Sequence, residues 1–94
     1  MQNNYEVVHN TEKSRFEVQV DGKVGELNYV LRPGRIIYTS THVPRSLEGR
    51  GVGSVLVKTG LEYARSNNLG VVPNCSFVRS YLKRHPEYND LTEG

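Results

Sequence analysis

Apolar and polar positions change their period once along this chain, and the change divides it in two. Between residues 5 and 43 the pattern is that of strands. Arg15-Phe16-Glu17-Val18-Gln19-Val20 alternates polar and apolar, the mark of a strand with one covered face. Asp21-Gly22 then offers a two-residue hairpin turn, and Leu27 to Leu31 continues as the partner strand. Arg32-Pro33-Gly34 punctuates, and the β-branched stretch Arg35 to Val43 predicts the next strand. The simplest arrangement is an antiparallel meander with one face covered.

From Val52 onward the period lengthens. Val52, Val55, Leu56, Thr59, Tyr63 and Ala64 fall at three-four spacing, which predicts an amphipathic helix over 52–64 with Lys58, Glu62 and Arg65 on its wet side. Gly60 inside this helix costs about 1 kcal/mol relative to alanine, and close packing on the sheet would offset it. Asn67 to Gly70 reads as the helix stop, and Gly70 to Pro73 as a short strand. Phe77, Val78, Tyr81 and Leu82 predict one face of a second, shorter helix, ended by His85-Pro86. The polar tail from Glu87, and residues 89–94 above all, is expected to fray. The whole reads as one α+β domain over residues 1–94, sandwich-like, with a mostly antiparallel sheet.

Between the two halves stands Glu48-Gly49-Arg50-Gly51-Val52-Gly53-Ser54. Three glycines at alternate positions let the backbone turn tightly just before a helix begins. Such a turn aims several unpaired N–H groups and the positive end of the helix dipole at one spot, which suits an anion such as phosphate. The spacing lacks the Lys-Ser/Thr pair of a P-loop. It also differs from the Gly-x-Gly-x-x-Gly of a dinucleotide fold, whose preceding strands would be parallel.

Composition narrows the classes. With 94 residues, 23% charged and 36% hydrophobic, the chain has the make-up of a small globular domain. A net charge of +2 gives no argument for nucleic acid. The cluster Arg79, Lys83 and Arg84 beside Tyr81 and Tyr88 is the only basic-aromatic patch an RNA reader would use. No apolar run approaches the ~20 residues of a membrane span, and residues 1–10 carry no signal-peptide core. Cys75 is the single cysteine, so no intrachain disulfide forms, and no Cys/His spacing suggests a metal. A reduced, cytoplasmic setting is expected.

At this point the residues resemble a family. Gly49-Arg50-Gly51-Val52-Gly53 opening a helix is similar to the acetyl-coenzyme A pyrophosphate loop of the GNAT (Gcn5-related) N-acetyltransferases, whose pattern is Gln/Arg-x-x-Gly-x-Gly/Ala. Gly51 and Gly53 fill the glycine positions, and Glu48 falls where Gln or Arg is usual. Asn74 and Tyr81 match the family's asparagine followed seven residues later by a tyrosine. Val43-Pro44, Pro73-Asn74-Cys75-Ser76-Phe77-Val78 and the run Lys83 to Tyr88 resemble the short YjdJ-type branch, and the resemblance covers residues 24–91.

The resemblance implies an abbreviated GNAT fold, acetyl-coenzyme A as cofactor and an amine-bearing acceptor, small molecule or protein. It implies a cofactor site of Val43, Gly49, Arg50, Gly51, Val52, Gly53, Ser54 and Asn74. Catalytic candidates are Cys75, Tyr81 and His42. Tyr81 would be the acid for the departing thiolate, with packing as its alternative. His42 lies where relatives place glutamate in His-Thr-Glu-Val-Pro, and its imidazole would serve as the base. In periodicity it aligns with Tyr38 and Ser40. Cys75 would either carry the acetyl group or line its pocket. His9 reads as a surface residue and His85 as a capping one. Direct attack is the default mechanism. The rival reading is a non-catalytic acyl-coenzyme A module or sensor acting with a partner, because residues 5–43 leave no room for acceptor-binding helices.

Overall fold

The computed structural model describes residues 5–92. In chain order the elements are β1 (Val7–Asn10), β2 (Arg15–Val20), β3 (Lys23–Arg32), β4 (Arg35–His42), α1 (Val52–Ser66), β5 (Gly70–Pro73) and α2 (Ser76–Arg84). Short 3-10 helices follow β4 at Arg45–Leu47 and α2 at Pro86–Leu91. The five strands lie side by side in sequence order. β1 to β4 pair antiparallel, and β5 returns parallel to β4 after the α1 crossover. This is the expected α+β architecture, a mixed sheet with helices. No helix is long and apolar enough to cross a membrane among the described residues.

The meander follows from its turns. Asp21 and Gly22 both take positive φ, 53° and 75°, so two residues suffice to reverse β2 into β3 with Val20 opposite Lys23. Alternation then places Phe16, Val18, Leu27, Tyr29, Ile36 and Tyr38 in the buried core. α1 covers them.

The inner stripe of α1 is wider than, and rotated from, the expected one. Val52, Leu56, Val57, Leu61 and Ala64 are buried together with Gly53 and Gly60, while Val55, Thr59 and Tyr63 are half-buried. The reason is Gly60. Having no side chain, it forms the line of closest approach, and the buried side chains distribute around it. A Cβ there would lie 2.8 Å from the Tyr38 hydroxyl and 2.9 Å from a Leu27 methyl. The Tyr38 hydroxyl donates to the Gly60 carbonyl at 2.7 Å.

Three other expectations are corrected. The tail does not fray through residues 89–92. Tyr88 and Leu91, spaced three apart on the 3-10 helix, are buried. The Tyr88 hydroxyl donates to Glu62 at 2.6 Å, and the Arg65 guanidinium grips both Asp90 oxygens at 2.9 and 3.1 Å. Residues 93–94 lie outside the described residues. His9 is no surface residue: its ring stacks on Phe16 at 4.1 Å and meets Tyr63 edge-on at 4.6 Å. On α2, Val78, Tyr81 and Leu82 face inward, but Phe77 remains 38% exposed. It projects instead toward the start of α1, where a Cβ on Gly53 would lie 2.5 Å from its ring.

Candidate functional site

The glycine turn has the backbone its sequence suggests. Gly49 and Gly51 adopt φ of 79° and 81°, a hand that costs an L side chain about 1–2 kcal/mol. A Cβ at either would meet nothing within 4 Å, so the turn is open on its outer side. Gly51 is the N-cap of α1, and no side chain caps it. The turn of the helix closes with the Val55 amide donating to the Gly51 carbonyl at 3.1 Å. The amides of Val52, Gly53 and Ser54 precede that first bond and belong to the orphan donors of a helix start. There is no carboxylate in the first turn, so the positive end of the dipole is uncompensated there.

These amides border a cavity of about 480 Å³. One wall is the end of β4, Thr41 to Val43; the other is the glycine turn and first turn of α1, with Leu47, Glu48 and Phe77 completing it. The cavity exists because β4 and β5 part company. They pair in register from Arg35↔Gly70 only as far as Tyr38↔Pro73. One last bond, from the Asn74 amide to the Tyr38 carbonyl at 3.1 Å, closes the apex. Beyond it the chain after β5 turns away into α2, with Cys75 as its N-cap. Past Tyr38, the edge of β4 that faced β5 therefore has no strand beside it among the described residues.

A bulge decides which side chains face this opening. The β3–β4 register moves from Tyr29↔Tyr38 to Asn28↔Ser40, leaving Thr39 as an extra residue on β4. Before it, Tyr38 faces the core. After it, Thr41 stands opposite the buried Leu27 and faces inward, whereas Ser40 and His42 stand opposite Asn28 and Glu26 on the other face. The expected alignment of His42 with Tyr38 is thus broken. His42 still reaches the cavity, as an exposed residue of its wall.

Of the sequence candidates, Val43, Gly49, Gly51, Val52, Gly53, Ser54 and His42 meet at this cavity. Arg50 does not line it. Its guanidinium approaches Asp21 at 3.5 Å, and its carbonyl accepts from the Tyr5 hydroxyl at 2.8 Å. Asn74 is exposed at the end of β5 and serves the apex through its amide. Cys75 is buried, with its sulfur 3.1 Å from the Thr41 hydroxyl. Tyr81 is buried nearly two turns further along α2, stacked on His85 at 4.0 Å, and burial pushes its hydroxyl above the ordinary tyrosine pKa. Neither Cys75 nor Tyr81 is part of the cavity wall.

The chain that carries this cleft is similar to known proteins. The family model described as GCN5-related N-acetyltransferase matches residues 15–91. The chain belongs to that family. The NMR solution structure of a GCN5-like N-acetyltransferase candidate from Staphylococcus aureus has the same fold, with a TM-score of 0.76 and 30% identity. The match covers 99% of this chain and 92% of that one.

Within this GCN5-related domain, three wall residues escaped the sequence reading: Thr41, Leu47 and Phe77. Thr41 was hidden by the bulge. Leu47 is 1% exposed and anchors the 3-10 helix that carries the chain from β4 to the glycine turn. Phe77 had a readable signal, since its bulk stands across from a glycine, but that pairing joins residues 24 positions apart in the sequence. Chemically, the cleft combines backbone donors for an anion at one end, a free strand edge along its length and an exposed imidazole on its rim.

Proposed function

We propose that this family member binds acetyl-coenzyme A and transfers its acetyl group to an amine. The observation that carries the proposal is the uncapped start of α1 behind two left-handed glycines, opening on the same cavity as the free edge of β4. The residues fit the cofactor. The amides of Val52, Gly53 and Ser54 would hold a pyrophosphate, the open turn at Gly51 leaves the approach that a Cβ would fill, and Phe77 and Val43 would flank the pantetheine arm. Recognition of the anion rests on the backbone, because Arg50 is turned to Asp21 and Glu48 stands at the wall in place of the family's Gln or Arg.

Acetyl-coenzyme A, when bound, supplies an acetyl group activated as a thioester. The chain positions and exchanges protons. The unpaired edge of β4 near His42 and Val43 offers an amide to an oxygen that gains negative charge. His42, exposed on the wall, would accept a proton from the amine at a ring nitrogen as the new C–N bond replaces the thioester C–S bond, and the released thiolate would take its proton from solvent. Tyr81 is assigned to packing, being stacked outside the cavity. Cys75 lies behind Thr41, which favours direct transfer over an acetyl-cysteine. The acceptor side is the sheet face away from α1, on which the described residues lay no helix. That openness also supports the second reading, a binding module that works with a partner; turnover against a panel of amines separates the two. The stretch Pro73 to Val78 supports placement in the short YjdJ-type branch, and the single cysteine supports a cytoplasmic setting.

The test is an amide-resolved NMR titration with acetyl-coenzyme A. Resonances of Val52, Gly53 and Ser54 are expected to move first, followed by those of Thr41 to Val43. Gly51→Val should abolish the response while leaving a folded spectrum. A wild-type spectrum unchanged at millimolar ligand would remove the proposal.

A further inference from the structure

Past the apex at Tyr38 and Asn74, β4 and the start of α2 diverge like the arms of a V. A side-chain contact crosses that V. Thr41 faces inward because of the Thr39 bulge, and its hydroxyl oxygen lies 3.1 Å from the Cys75 sulfur on the opposite arm. Thr41 belongs to the cavity wall and Cys75 does not, so the crossbar marks where the cavity ends. Leu27, the register partner of Thr41, and Tyr38 at the apex are each 0% exposed, and Cys75 itself is 6% exposed. A ligand held at the start of α1 and lying along β4 toward the apex therefore meets Thr41 at its tip, with Cys75 backing it.

We propose that the Thr41–Cys75 crossbar is an end stop that limits the acyl group accepted here to about the size of acetyl. This rests on the acetyl-coenzyme A reading above and assigns Thr41 and Cys75 as specificity-determining residues. The physical cause is packing. A close-packed wall yields poorly to extra methylenes, and each one forced against it displaces buried atoms.

The experiment measures calorimetric affinities of free coenzyme A, acetyl-coenzyme A and butyryl-coenzyme A for the wild type, Thr41→Ala, Cys75→Ala and Thr41→Val. Wild type should bind butyryl-coenzyme A about tenfold or more weakly than acetyl-coenzyme A, within the discrimination a tight apolar pocket achieves. Thr41→Ala and Cys75→Ala each remove crossbar atoms and should bring the ratio to about threefold or less. Thr41→Val keeps the volume and should keep the discrimination. Equal wild-type affinities, or a ratio unmoved in both alanine variants, would overturn the end stop. Binding of free coenzyme A separates the two layers and also reports that each variant is folded. If coenzyme A binds and the ratios do not move, only the end stop fails; if coenzyme A does not bind the wild type, the cofactor reading fails and takes the end stop with it.

Discussion

Gly60→Ala measures how tightly α1 is seated on the sheet. In an isolated helix the change stabilises by about 1 kcal/mol. Here the new methyl would lie 2.8 Å from the Tyr38 hydroxyl oxygen, 2.9 Å from a Leu27 methyl and 3.0 Å from the Tyr38 ring. Both neighbours are 0% exposed, so neither has solvent to swing into. Overpacking of this kind costs about 1–3 kcal/mol. The helix can relieve it only by retreating, which stretches the 2.7 Å bond from Tyr38 to the Gly60 carbonyl. That hydroxyl is a permanent donor, since burial drives its pKa far above the tyrosine range. Leaving it unsatisfied adds about 1–3 kcal/mol. Partial retreat shares the two costs, and after the helix gain a net loss of about 1–3 kcal/mol remains. Urea unfolding of wild type and variant reads this directly, and the same change in a Tyr38→Phe background isolates the hydroxyl. With the nearest atom gone, the alanine penalty should shrink there. A Gly60→Ala protein as stable as wild type or more so would refute the close approach.

Gly53→Ala should behave differently although its methyl would come nearer still, 2.5 Å from the Phe77 ring. Phe77 is 38% exposed and can swing outward, so stability should change by no more than about 1 kcal/mol, while the cavity loses its aromatic wall and coenzyme A affinity falls. Unfolding curves paired with calorimetry check this; unchanged affinity in a folded variant would show that Phe77 does not flank the ligand. The third prediction concerns pH. His9 is held between Phe16, Tyr63 and Tyr29, its Nε2 2.7 Å from the Tyr29 hydroxyl, and burial lowers its pKa below 6.5. A histidine with a depressed folded-state pKa contributes stability that is complete above the unfolded value and is lost as pH falls through the folded one. Wild type should therefore lose more urea stability between pH 7.5 and 5.5 than His9→Gln, and equal losses would refute the assignment.

Much of the fold was legible because its causes are local. The Asp21-Gly22 turn, the alternation from Arg15 to Val20 and the switch to three-four spacing at Val52 each need only neighbouring residues, and each appears where expected. The errors share a different origin. Tail residues 89–92 look polar, and their order comes from Arg65 and Glu62 on a helix more than twenty residues upstream. His9 looks like a surface residue until Phe16, Tyr29 and Tyr63 close around it from three other elements. The rotated stripe of α1 follows from a tyrosine on β4 that a helical period cannot contain.

The site divides along the same line. Its glycine-turn end, proposed to hold the anion, is written in one heptapeptide, since a left-handed glycine, an N-cap and the orphan amides of a helix start are properties of consecutive residues. The other end is made by register. A single extra residue, Thr39, reverses every side chain that follows it on β4. Alternation counted along the sequence puts His42 in line with Tyr38; the bulge instead sends His42 to the open face and brings Thr41 inward to Cys75. Nothing within β4 announces that residue, because a bulge exists only as a mismatch between two strands. Both features serve one geometry: β4 must leave β5 to open a cleft, and the bulge that re-aims its side chains lies one residue past their last pair, Tyr38 and Pro73. Were Thr39 paired with Asn28 instead of bulged, Thr41 would stand opposite Glu26 and turn away from Cys75. The inward aim of Thr41 thus depends on a residue that does not itself line the cavity.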